Sequence, residues 1–135
     1  MNQQDAREAL TQAWTTGWAG ATPVVFANEE LDPPAAPWVR FSVLHQTGQQ
    51  ETLGGEGNRR FLRSGIVSIQ VFVPSGQGGL RNSDALVHTA RAIFEGKNFS
   101  LNTLRCTNAS VREIGEAEGF YQTNIEIDFN YEETK

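Results

Sequence analysis

Chemistry-bearing residues are scarce in this sequence. It has one cysteine, Cys106, and two histidines, His45 and His88, among 135 residues. A single thiol excludes an internal disulfide, so a reducing, cytoplasmic setting is the simple expectation. The histidines are far apart in sequence and Cys106 has no companion at ligand spacing, so no zinc pattern exists. No apolar run approaches the roughly 20 residues of a membrane helix, so a membrane partner is not expected. The opening MNQQDAREAL lacks the basic start and apolar stretch of a secretory leader. Without secretion, the sequons at Asn98 and Asn108 carry no meaning.

Catalytic patterns are missing too. Ser64, Ser75 and Ser83 sit in no nucleophile elbow. Gly76 and Gly78 begin a G-x-G, but Arg81 occupies the position where a dinucleotide fingerprint needs its third glycine. Leu80-Arg81-Asn82 likewise replaces the Gly-Lys-Ser/Thr of a phosphate loop. The segment 75–79 therefore reads as a crossover loop. Glu126 and Asp128 fall on one face of a strand, but no His or Lys accompanies them, and a solvated sheet face is the simpler reading. The expectation is a protein that is not an enzyme and holds no cofactor or metal.

Charge is present, and it is unevenly spread. The net charge of −5 argues against a general nucleic-acid binder, and no nucleic-acid sequence recognition is expected. Residues 1–56 carry two basic and seven acidic side chains, residues 57–112 eight and two, and residues 113–135 one and seven. Nine of the eleven basic residues are Arg, suited to bidentate pairing with carboxylates. Opposite charges on one small domain favour association with copies of itself or with another charged protein, unless they are ordinary charge scatter that the fold brings together. Arg59, Arg60 and Arg63, beside the glycine-containing loop 47–58, are the candidate interface cations. Glu126 and Asp128 are their candidate acidic partners.

The periodicities predict one domain over residues 1–135. Ala6, Leu10, Ala13, Trp14 and Trp18 recur at helical spacing, with Asn2 or Asp5 at the start and Gly17 and Gly20 at the end. TPVVFAN (22–28) reads as a short strand, and Pro33, Pro34 and Pro37 forbid regular structure after it. Residues 37–46 alternate as a strand, residues 47–58 form a loop or hairpin tip, and residues 59–74 form a long strand. A second helix follows, capped by Asn82 or Ser83, with Leu86, Ala90, Ile93 and Phe94 as its stripe and Gly96 beyond its end. Two shorter strands flank a turn at Thr107–Asn108. The last strand alternates strictly from Tyr121 to Tyr131, which means one buried and one wet face. The class is α+β: an antiparallel or mixed β-sheet with two helices packed on one face.

Certain runs resemble a known family. Pro37-Trp38-Val39-Arg40-Phe41 through Arg59-Arg60-Phe61 is similar to the phage tail terminator and tail-completion proteins. So are Gly65-Ile66-Val67-Ser68-Ile69-Gln70-Val71-Phe72-Val73-Pro74, the loop holding Gly76 and Gly78, and the helix ending Ile93-Phe94-Glu95-Gly96. The group includes the lambda-type tail terminator and related phage domains. The resemblance implies a structural virion protein of a phage or prophage, without catalytic residues, made in the host cytoplasm and carried in the virion tail. It implies a ring, typically a hexamer, on the last turn of the tail tube. Its partners would be itself, the tail tube protein and a head-completion protein. The other readings are a head-closure or minor tail protein, and a small-ligand domain using the glycine loop 75–79.

Overall fold

The N-terminal apolar spacing becomes α1, Gln3–Trp18, in the computed structural model, which describes residues 1–26, 36–76 and 79–135. Asn2 and Asp5 act together. The Asn2 side chain accepts from the Asp5 N–H at 2.8 Å, and Asp5 accepts from the Asn2 N–H at 3.1 Å, closing a capping box. Ala6, Leu10, Trp14 and Trp18 form the buried stripe. The helix ends on Ala19 in the left-handed conformation, its N–H bonded to Thr15 O. Gly17 does not end the helix as its identity suggested but lies inside it. A Cβ there would sit 2.7 Å from Ile93 Cγ1, so its missing side chain allows close approach to the second helix.

Six strands follow the order β1-β2-β3-β6-β5-β4. They are β1 (Val24–Phe26), β2 (Trp38–Gln50), β3 (Arg60–Pro74), β4 (Asn98–Phe99), β5 (Leu104–Ala117) and β6 (Phe120–Thr134). β1 runs parallel to β2 and every other pairing is antiparallel, so the sheet is mixed. Within the described residues β1 starts at Val24, two residues later than the expected run, and residues 27 and 28 of that run lie outside the described residues. Most of the proline-rich stretch expected to be irregular lies outside the described residues. β2 is longer than expected, because its polar second half pairs with β3 as far as Gln50↔Phe61. Residues 51–59 are thus the tip of a long hairpin.

The second helix, α2, spans Gly79–Phe94. Asn82 and Ser83 lie in its first turns, not at its cap. Ser83 is buried and bonds to Thr123 of β6 at 3.1 Å, so tertiary contact decides its position. Gly96 closes the helix at φ +72° as expected. The two short strands expected around Thr107–Asn108 are one strand, β5, with a bulge there: the register against β6 jumps between Cys106 and Ala109. The turn before β5 is instead at Ser100-Leu101-Asn102, three successive non-glycine residues with positive φ.

One buried cluster joins α1 and α2 to Val39, Phe41 and Val43 of β2, to Val67, Ile69, Val71 and Val73 of β3, and to Ile125, Ile127, Phe129 and Tyr131 of β6. Trp14 is its centre, stacked on Phe41 at 5.2 Å and Trp18 at 4.6 Å. Opposed residues of an antiparallel pair share a face, and the registers Phe41↔Ile69↔Ile125 and Val43↔Val67↔Ile127 put these residues on one side of the sheet.

Candidate interface surface

The opposite side of the sheet is polar. Its rows run Arg40, Gln70, Asn124, Arg112 and Ser42, Ser68, Glu126, Ser110 across four strands. Every side chain in them is at least partly exposed. Leu44, Ile66 and Asp128 form the next row, and Leu44 is half-exposed. Glu126 and Asp128 lie here, exposed, and among the described residues neither side chain makes an ion pair. At one end this face becomes aromatic: Trp38 stacks on Phe72 at 4.2 Å, meets Phe120 edge-on at 6.3 Å and carries the Arg40 guanidinium 5.7 Å from its ring centre.

The structure separates the three candidate arginines. Arg60 pairs with Thr134 in the register and Arg63 with Tyr131, so the two point to opposite faces. Arg60 meets Glu132 at 3.5 Å, and Arg105 reaches the same carboxylate at 3.7 Å. Arg63 bonds to Glu133 at 3.2 Å, and Lys135 approaches that carboxylate at 3.8 Å. Arg63 also lies 5.1 Å from the Phe61 ring centre and over Gly48, where a Cβ would collide with its guanidinium. Arg59 donates from Nε to Gly54 O at 3.0 Å, and its backbone pairs with that of Lys135. None of the three is bonded to Glu126 or Asp128. The intrachain partners are Glu132 and Glu133, which the register places opposite Leu62 and Phe61, two pairings and one pairing from Arg60.

Between the start of α1 and the inner face of the hairpin lies a polar cleft of about 560 Å³, lined by Gln3, Gln4, His45, Gly48, Arg63, Tyr131 and others. His45 packs edge-on against Phe129 at 5.4 Å and Tyr131 at 5.8 Å, and both its ring nitrogens are buried without a hydrogen-bond partner among the described residues. Burial, then the Arg7 charge, holds its pKa below the ordinary histidine value. A second, apolar groove of about 730 Å³ runs between α1 and α2, floored by Ala9, Ala13, Gly17, Ala92, Ile93 and Phe99. Sequence reasoning did not find it, because it forms only where two small-residue helix faces meet.

Cys106 is buried and its thiol is pushed up to about 12 by that burial, which makes it inert. Among the described residues there is no group of three or more His, Cys, Asp or Glu that would hold a metal, and no helix is long and apolar enough to cross a membrane. Gly76 has φ +86°, as a turn requires, while residues 77 and 78 of the glycine loop lie outside the described residues.

This architecture has known counterparts. The family model described as phage tail terminator protein matches residues 5–129. The chain belongs to the phage tail terminator family. Membership gives it a structural role in tail assembly and makes it a component of the virion tail. One solved structure resembles this tail terminator family member over 97% of the chain and 96% of its own length, with a TM-score of 0.73 and 21% identity. At that identity the likeness establishes the fold alone. No curated protein matches the chain in sequence.

Proposed function

We propose that this family member forms a homo-oligomeric ring, a hexamer by the family resemblance, on the last turn of the tail tube. The ring ends tube polymerisation and presents a surface to a head-completion protein. A ring of identical subunits needs a heterologous contact, one patch meeting a different patch on the next copy. The observation that supports this reading is the pair of unlike open sheet edges. Among the described residues, β2 is paired by β1 only at Val39–Phe41, and β5 by β4 only at Leu104 and Arg105. Apart from Val43 O, which accepts from Arg7, and Cys106 N–H and Thr107 O, which bond to Lys97 and Gly96, the rest of each strand has no described strand on its outer side, and the two edges lie at opposite sides of one sheet. One edge is neutral and polar, LHQTGQQ, and the other, ASVREIGEA, carries Arg112, Glu113 and Glu116.

The interface assignment changes in detail. Arg60 and Arg63 are engaged within the chain and contribute to a contact by reorganising, whereas Glu126 and Asp128 are exposed and free to meet a cation of another subunit. The polar face that carries them is proposed to face the tube or a neighbour. The test is native mass spectrometry over a concentration series, with and without purified tail tubes. A closed oligomer, alone or on tube tips, together with shorter tubes when the protein is present during polymerisation, is expected. A monomer that ignores tubes would overturn the reading.

A further inference from the structure

The tip of the β2–β3 hairpin presents a large apolar side chain with nothing to bury it. Leu53 is 96% exposed. The tip is nevertheless organised: Glu51 N–H donates to Arg60 O at 2.8 Å, Arg60 N–H to Thr52 Oγ1 at 2.8 Å, and Asn58 N–H to Gly55 O at 3.0 Å. A preformed tip loses little freedom on docking. The α1–α2 groove is its chemical counterpart, an apolar trough with small residues along its floor that no described residue covers. Charge sorts the two surfaces. The tip carries Glu51 and Glu56, and the groove is lined by the cation Lys97, with His88 beside it as a hydrogen-bonding side chain. Among the described residues, none of these four side chains is in an ion pair.

One chain cannot bring its own tip and groove together. Helix α1 runs away from the tip: its first residues share the cleft with Gly48, Arg7 reaches Val43 O at 2.8 Å, and Trp14 stacks on Phe41. Leu53 lies five residues beyond Gly48, up to about 16 Å further in extended chain. The groove, from Ala9 to Gly17, lies in the other direction. We propose that Leu53 seats in the α1–α2 groove of a second copy of this chain, with Glu51 and Glu56 facing its Lys97 and His88. The contact is heterologous, so it propagates from copy to copy. It names a contact within the ring proposed above and rests on that reading.

The test is a double variant, Leu53→Cys with Ala92→Cys, mildly oxidised by diamide with tubes present and run on a denaturing, non-reducing gel. Both positions are exposed, and buried Cys106 does not compete. A ladder of multimers from the double variant, with neither single variant giving one, is expected. Leu53→Ser is expected to raise the half-assembly concentration roughly tenfold, in keeping with the loss of one buried leucine. Cross-linking by Leu53→Cys alone would mean tip-to-tip contact and would overturn the proposal. Rings seen by native mass spectrometry but no ladder would overturn this contact and leave the ring standing. No oligomer with or without tubes would remove both.

Discussion

At the scale of single residues, Gly65 is, of the described sheet glycines, the one where an added side chain would run into backbone. A Cβ there would run into the Leu44 carbonyl oxygen and lie 2.8 Å from Phe129 Cζ, so backbone and ring would both have to move. Gly65→Ala is expected to cost about 1–3 kcal/mol or more, as overpacking does, read as a lower urea midpoint with unchanged slope. The arginines offer a contrast. The Arg60–Glu132 pair is largely solvated, and Arg60→Ala is expected to cost under about 0.5 kcal/mol. Arg63 is more enclosed, packs on Phe61 and holds Glu133, and Arg63→Ala is expected to cost about 1 kcal/mol or more. Equal losses for the two variants would contradict this placement. The alternation of β3 already separates residues 60 and 63 onto opposite faces, whereas their real carboxylates come from β6, seventy residues away.

Among the elements, α1 depends on its start. Asn2→Ala removes the side-chain half of the capping box, and the expected loss is about 1 kcal/mol of stability with fraying of the first turn. Hydrogen exchange at the amides of residues 3–6 would show the fraying, and unchanged exchange would contradict it. The helix was legible because its apolar spacing and its cap pair are local. Its end was legible only in part: Gly20 lies just beyond it at positive φ, but Gly17 is a contact residue for Ile93, and no local rule distinguishes that from a terminator. The same limit applies to Ser83, a cap by residue type and a buried tether to Thr123 in fact. Thr107–Asn108 reads as a turn by composition, but both flanks of it pair with one strand, β6, so the chain bulges and continues.

For the molecule as a whole, pH reports on burial at three residues, His45, Cys106 and Tyr131. Burial and Arg7 lower the His45 pKa, so the unfolded chain binds the proton more readily than the folded one. Stability is therefore expected to rise with pH through the window that ends near the ordinary histidine value of about 6.5, and to fall below it. His45→Gln should flatten that acid limb in urea titrations at several pH values. At the alkaline end the sign reverses. Cys106 ionises in the unfolded chain from its ordinary value of 9.0 but in the folded one only at about 12, so stability is lost as pH rises between them. Tyr131, also raised by burial and by Glu133, adds to the loss above 10.0. The thiol should resist a thiol reagent in the native state and react on unfolding. A native thiol that reacts freely would contradict its burial.

The sequence by itself determined the α+β class, both helices, the long central and C-terminal strands and the family resemblance, because two-residue and 3.6-residue periodicities are local signals that burial of one face imposes. Tertiary structure alone decided which charges meet. The basic middle segment and the acidic C-terminal segment looked like two separate surfaces, but β3 and β6 are paired from Arg60↔Thr134 to Pro74↔Phe120, which places the Arg63 and Glu133 side chains in contact. It also decided where the chain leaves surface unfilled. The apolar groove between α1 and α2 and the exposed Leu53 at the far end of the hairpin arise from elements whose separate patterns carry no record of their distance in space.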